Sequence, residues 1–503
     1  MNHIIGIDIG TTHVKAVVAA TTGHVLQEIK EGYLTSSPLP GHQEQNADEI
    51  FQAVLKVLKQ AADTIADKES ISCISFSAAM HSLMAVNKTG KPLTPLMTWA
   101  DTRSNKYAQE IKNTKQGDII YQDTGTPIHP MSPLCKIAWI REETPAVFAA
   151  THKFISAKEY IFYQFFNEFV IDYSIASATG LFDIHQLQWF GESLKFAGIS
   201  AEQLSNPVSP THTFTNLKEE YRLLLNLPTN ISFLIGAGDG CLANIGAGAV
   251  LPGELALTIG TSGAVRKIGD HPVDDQKQRL FNYRLDEKTY LSGGAINNGG
   301  ILLKWVMDVF FDNELPEQEK MKEIMEKAAT VAAGSDGLIF LPYLYGERAP
   351  VWDAAAKGVF IGISPKHTKA HFIRAVLEGI SFSLLQIVKA IEETGEPVHT
   401  IYANGGFIQS PLWLRIMTDI LNKKVRVSHA GDASAMGAIF MAMQFLGHIN
   451  EWKEVKNLVD TDEEFDPDQI VHQYYQENSH IYEHLYEKLK GDFKKIDTLQ
   501  AKN

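Results

Sequence analysis

The chain has 503 residues, 45% of them apolar and 21% charged, as in ordinary globular proteins, and its length suits two or three domains of roughly 150 to 250 residues each. A net charge of −14 with histidine neutral argues against nucleic acid or anionic lipid as partners. The same field repels an anionic substrate unless local cations overcome it.

The opening Met1–Gly10 carries no basic flank or cleavage-site pattern, and no apolar stretch approaches the ~20 residues of a membrane-spanning helix. Cys73, Cys135 and Cys241 are an odd, scattered set without CxxC spacing, which reads as reduced buried thiols. The expectation is a cytoplasmic protein. Its oligomeric state is left open, a homodimer among the options.

In chain order, residues 3–9 form a strand with Ile4, Ile5, Ile7 and Ile9 as its apolar members. It breaks at Gly10-Thr11-Thr12, and residues 14–20 resume a β-branched run, which predicts a hairpin rather than the strand-loop-helix of a dinucleotide fold. Residues 48–64 have helical spacing and 70–76 return to strand, so α/β layering is expected. Halfway along, strand 255–260 ends in Gly260-Thr261-Ser262-Gly263 and is followed by a short strand at 264–268. Ile-Gly-Thr thus occurs at 9–11 and again at 259–261 in the same context, which reads as two domains of one design, residues 1–247 and 253–450, joined at the glycine-rich segment 246–253. In the second half, 370–391 is a long amphipathic helix, 398–403 a strand, and 410–421 a helix with Pro411 at an early position. Residues 451–503 form a charged helical extension with a frayed polar end.

Phosphoryl transfer asks for phosphates clamped by backbone N–H groups and cations, and for a carboxylate that orients the acceptor hydroxyl. Gly10 with Thr11 and Thr12 offers close backbone approach and hydroxyl donors, Asp8 suits Mg²⁺ held through water, and Lys15 adds charge. Gly260 and Thr261 repeat the device in the second half. Gly405 and Gly406, at the mouth of the 410–421 helix, suit an adenosine platform, as does the loop 293–300. Read singly, each is also a turn that needs glycine for its dihedrals. Asp239, in Gly236-Ala237-Gly238-Asp239-Gly240 after the apolar run 231–235, is either a turn-former or a general base with access to a cleft.

Two long patterns resemble those of the FGGY carbohydrate kinases, residues 131–143 (MSPLCKIAWIREE) and residues 358–363 with 371–378 (GVFIGI and HFIRAVLE). The resemblance covers nearly the whole chain. It implies two ribonuclease-H-like, actin-like ATPase domains with ATP and Mg²⁺ in a central catalytic cleft. It implies Asp239 as catalytic base, with Asp8 and Asp239 as the metal-side carboxylates. It also implies phosphates near Thr11, Thr12 and Thr261, beside the Gly10, Lys15 and Gly260 read from the turns themselves, and the nucleotide near Gly300, Lys304, Gly405, Gly406 and Ser410.

For the acceptor, a small sugar or sugar acid, Met80-His81 resembles the xylulose and gluconate kinases rather than the Arg-Glu pair of glycerol kinases. Trp99, Asp101 and Arg103 resemble a Trp-x-Asp-x-Arg segment that flanks the sugar in many members. The stretches 99–104, 127–133, 155–160 and 172–177 are similar to the gluconokinase branch. Gluconate carries a carboxylate, so the pocket is expected to hold an extra cation, Lys158 first, then Arg103 and His129. The expectation is a gluconokinase, against a xylulokinase-like pentulose kinase or, from another class, a non-catalytic actin-like nucleotide switch.

Overall fold

The computed structural model describes residues 2–311, 316–428, 431–461 and 463–500. Its first sheet is built on β1 (His3–Ile9), β2 (His13–Ala20), β3 (Val25–Gly32), β4 (Ile71–Ala78), β5 (Thr213–Phe214) and β6 (Ser232–Gly238), in the order β5-β6-β4-β1-β2-β3. β1 pairs antiparallel with β2, as the hairpin reading requires, and parallel with β4. Helix α1 (Ala47–Thr64) covers one face, capped by Asn46, whose side chain accepts from the Asp48 and Glu49 amides. α2 (Pro133–Glu143) and α3 (Ala157–Phe166) belong to the long insertion between β4 and β6.

The second sheet repeats the plan. β7 (Glu254–Ile259) and β8 (Gly263–Gly269) form the hairpin, β9 (Phe281–Arg284) and β10 (Tyr290–Ile296) extend it, and β11 (Thr400–Asn404), β12 (Lys424–Val427) and β13 (Glu463–Phe465) complete the order β9-β10-β8-β7-β11-β12-β13. β7 pairs antiparallel with β8 and parallel with β11, which matches β1 against β2 and β4. Each lobe is therefore ribonuclease-H-like, and the duplication seen in two Ile-Gly-Thr turns is a duplication of topology.

Helix α6 (Lys369–Glu393) is long and apolar enough by composition to span a membrane, yet it is largely buried as the core helix of the second lobe. Other helices there include α5 (Ile301–Phe310), a helix over Glu317–Ala329, α7 (Pro411–Leu421), α8 (Ala433–Phe445) and α9 (Gln469–Gln500). The tail is helical through Gln500, and residues 501–503, at the end where fraying is expected, lie outside the described residues. The three cysteines are free and buried.

The lobes meet through main chain. Along β1 the side chains alternate, so Ile5, Ile7 and Ile9 join the core under α1, while Ile4, Gly6 and Asp8 share the opposite face. α8 lies across that second face and crosses α4 (Asp239–Gly246). The approach is close because glycine stands at each crossing. A Cβ at Gly6 would lie 2.6 Å from the Ala435 carbonyl oxygen, one at Gly246 1.9 Å from that of Ala433, and one at Gly437 2.0 Å from that of Leu242. The packing places the ends of β1, β7, α4 and α8 around one cleft.

Candidate active site

The cleft has a volume of about 330 Å³ and lies between the lobes. Thr11 and Thr12 from the β1–β2 turn face Gly260, Thr261 and Ser262 from the β7–β8 turn across it. Met80, His81 and Trp99 line it from the first lobe, together with Asp239 at the start of α4. Phe281, Tyr283, Arg266, Arg348 and Trp352 line it from the second.

Asp239 follows β6, whose backbone is free to end sharply because Gly236 has φ +67° and a side chain there would collide with the Phe76 carbonyl oxygen. Its Oδ1 accepts from the Gly240 amide at 2.6 Å. Burial pushes the carboxyl above its ordinary value, while Arg266, the Gly240 amide and Arg348 pull it back. It is a carboxylate in contact with the cleft, and nearby cations favour its ionised form.

Asp8 is buried and accepts from Ser77 Oγ at 2.7 Å. Burial first, then the charges of Asp432 and Asp239, holds it well above the usual carboxylate range. Three mutually repelling carboxylates suit a divalent cation. No three metal-ligating side chains meet in one cluster among the described residues, so a cation near these carboxylates would need water or phosphate oxygens to complete its shell. Asp432 caps α8 through the Ala435 amide at 3.0 Å and was missed in the sequence, where only a Gly-Asp before a helix marks it.

His81 adopts φ +66°, and its Nδ1 lies 2.7 Å from the Ala178 carbonyl oxygen, so Nδ1 carries the proton and donates. Nε2 is then the acceptor, 3.4 Å from the Tyr283 hydroxyl. Burial and the charge of Lys136 lower the imidazole to about 3, which keeps it neutral. It can accept from a hydroxyl but supplies no positive charge. Lys136, inside the family-like segment 131–143, is fully buried and donates to the carbonyls of His81 and Thr98, both at 2.7 Å. One ammonium thus ties together the loops that carry His81 and Trp99. Trp99 Nε1 donates to Thr11 Oγ1 at 3.0 Å, joining the Trp99 loop to the β1–β2 turn.

Several expectations are corrected. Lys158 does not reach the cleft: it is 2% exposed, ion-paired with Asp172 at 2.7 Å, and donates to the Ile235 and Ala237 carbonyls behind β6. Asp101 and Arg103 bind one another, with Nη2 of Arg103 at 2.7 Å from Asp101 and 2.6 Å from Glu44, and Asp101 is wholly buried, so they brace the Trp99 loop from below. His129 Nδ1 accepts from the Met131 amide at 3.2 Å, and its ring packs edge-on to Trp352, outside the cleft lining. Lys15 is ion-paired with Asp432 and bridges the lobes instead of standing free for a phosphate. Lys304, expected near the nucleotide rather than the acceptor, is exposed on α5, and nothing in the structure tests that expectation.

The remaining glycines divide. Gly260 and Gly406 have open space where a Cβ would stand. Gly405 has φ +95° and would meet the Ile259 carbonyl oxygen at 2.4 Å, and Gly300 would meet that of Gly260 at 2.6 Å, so both serve the backbone path. At Gly10 a Cβ would stand 3.1 Å from the His13 carbonyl oxygen. Ser410 caps α7 through the Trp413 amide at 3.2 Å.

The pattern of the FGGY family of carbohydrate kinases, N-terminal domain, matches residues 3–246, and that of the C-terminal domain matches residues 255–445. The chain belongs to the FGGY family of carbohydrate kinases. It is 43% identical to the gluconokinase of Bacillus subtilis (strain 168), over 91% of this chain and 90% of that protein. It is 31% identical to the xylulose kinase of Staphylococcus epidermidis over 97% of each. Among solved structures, the gluconate kinase of Lactobacillus acidophilus superposes with a TM-score of 0.93 at 34% identity, covering 98% of this chain and 99% of that one. A ligand-bound xylulose kinase from Lactobacillus acidophilus gives the same TM-score and identity over 99% and 100%. This carbohydrate kinase is thus an enzyme of that family, which removes the non-catalytic switch.

Proposed function

We propose that the enzyme transfers the γ-phosphate of ATP to the 6-hydroxyl of D-gluconate, with Asp239 as general base. The observation that carries this reading is Asp239 itself, a carboxylate at the cleft surface opposite two threonine-bearing turns. The gluconokinase relatives support the acceptor.

Asp239 accepts the proton of the acceptor hydroxyl as that oxygen turns to the phosphate. Backbone amides and hydroxyls of Thr11, Thr12, Thr261 and Ser262 hold the phosphates from both lobes, and open Gly260 leaves them room. Asp8, with Asp239 and Asp432 near it, would hold magnesium, which when bound neutralises charge on the phosphates. Met80 and Trp99 wall the carbon chain, and neutral His81 takes a hydroxyl hydrogen bond.

Asp239→Asn is expected to lower kcat by ~10²–10⁴ and leave ATP affinity near the wild-type value, read as ADP release and nucleotide titration. Wild-type turnover in that variant sinks the assignment. A pentulose kinase is the second reading, favoured by the xylulose kinase neighbour at TM-score 0.93. ADP release across gluconate, xylulose, ribulose, glycerol and fuculose decides between them.

A further inference from the structure

A sugar acid brings a carboxylate into a protein of net charge −14, so the cleft has to supply a cation of its own. Lys158, Arg103 and Lys15 are each engaged by a carboxylate elsewhere. Histidine does not substitute, because His81 is held neutral. Among the described residues that line the cleft, the cations are Arg266 and Arg348.

These two differ in what already holds them. Arg348 lies over the Trp99 ring at 4.5 Å and donates through Nη2 to the Ile296 carbonyl at 3.0 Å, so its plane is fixed by the wall of the cleft. Arg348 Nε is buried without a partner among the described residues, but Arg266 lacks both of the anchors that hold the Arg348 plane. Its Nη1 too is buried and finds no hydrogen-bond partner among the described residues. A buried guanidinium donor left unpaired is costly, and a partner from outside the chain removes that cost.

Its place in the fold says which partner. β8 alternates, with Val265 in the core and Ala264 and Arg266 on the face that lines the cleft. Arg266 lies three residues beyond Gly263, roughly 10 Å along the strand from the phosphate turn. There it borders α4: a Cβ at Gly240 would stand 3.0 Å from its Nε, so glycine at 240 is what admits the guanidinium beside Asp239. Asp239, then Cys241 and Tyr283, are the ionisable neighbours that act on it most. It therefore faces the acceptor end of the cleft.

We propose that Arg266 receives the carboxylate of the sugar acid through a two-pronged guanidinium–carboxylate contact, and so sets the preference for an acid over a neutral sugar. The inference rests on the gluconate reading and adds the residue that reads the acid. A planar five-donor fork matches a carboxylate in a way an ammonium does not.

The test compares wild type, Arg266→Gln and Arg266→Lys on D-gluconate and on D-xylulose at saturating ATP, with KM and kcat measured separately. In Arg266→Gln, kcat/KM for gluconate is expected to fall on the order of a hundredfold more than for xylulose, mostly through KM. Arg266→Lys is expected to recover part of the loss, and it carries the test should the glutamine variant fold poorly. An equal loss on both acceptors, or a loss confined to kcat, overturns the inference and assigns Arg266 to the transferring phosphate. A wild type inactive on gluconate but active on xylulose defeats the gluconate reading instead. Gluconate is then used as a competitive inhibitor, and an inhibition constant unchanged by Arg266→Gln defeats the inference as well.

Discussion

The two walls of the cleft share a topology and differ in charge. The first lobe ends its hairpin in Asp8, adds Asp239, and braces the turn with Trp99 on Thr11 and Tyr33 on the Gly10 carbonyl. The second lobe ends the matching hairpin in an open glycine and carries Arg266 and Arg348 farther along. One duplicated frame has thus been divided into an acidic, held side and a cationic, open side. A kinase needs both, since the metal and the departing proton want carboxylates while anionic reactants want guanidinium and amide.

That division can be strained from several directions. The largest effect is expected from Lys158→Met, which leaves Asp172 buried without its cation and should cost about 3–5 kcal/mol of stability, read by denaturant unfolding. Its ratio of gluconate to xylulose activity should stay near that of wild type, because the side chain lies behind the acidic wall. A selective loss on gluconate would put a working cation on the wrong side.

Asp8→Asn should raise the magnesium requirement on the order of 10- to 100-fold, measured by titrating the metal at fixed ATP. The same variant tests the carboxylate repulsion. Asp8 is shifted upward, so the metal-free fold binds more protons there than the unfolded chain does. Its stability should fall as pH rises from the ordinary carboxylate range through the raised value, and the slope should shrink in Asp8→Asn. Thermal midpoints across that range decide the matter.

A smaller change is expected from Gly260→Ala. No atom lies within 4 Å of the added carbon, so the fold should tolerate it, while the KM for ATP should rise about tenfold as the methyl group enters phosphate space. A large drop in thermal midpoint with unchanged KM would show that Gly260 serves the hairpin instead.

Much of the frame was legible because it is local. Alternating isoleucines, a Gly-Thr break and a second β-branched run are enough to write the β1–β2 hairpin, and the repeat at 259–261 writes its counterpart. Asp239 was legible through its glycine surroundings together with the family patterns. Charge pairing was not. Lys158 and Asp172 both stood in view, yet only the packing of α3 behind β6 shows that they cancel. Arg266, Arg348, Tyr283, Trp352 and Asp432 come to the site from far along the chain, where a single arginine or tyrosine on a strand carries no mark of what lies opposite. The tethering by Lys136 of two loops through their carbonyls is likewise invisible in sequence, since a carbonyl belongs to every residue.

The glycine crossings have a mechanical result. α8 is held against β1 and α4 by carbonyls that touch where three side chains are missing, and Asp432 begins that same helix. Adding a single methyl group at position 437 would wedge the helices apart and carry the third carboxylate away from Asp8. The spacing of the acidic trio is therefore gauged by absent carbon atoms more than 190 residues apart in the case of Gly246 and Gly437, and a substitution that touches neither nucleotide nor sugar can detune both.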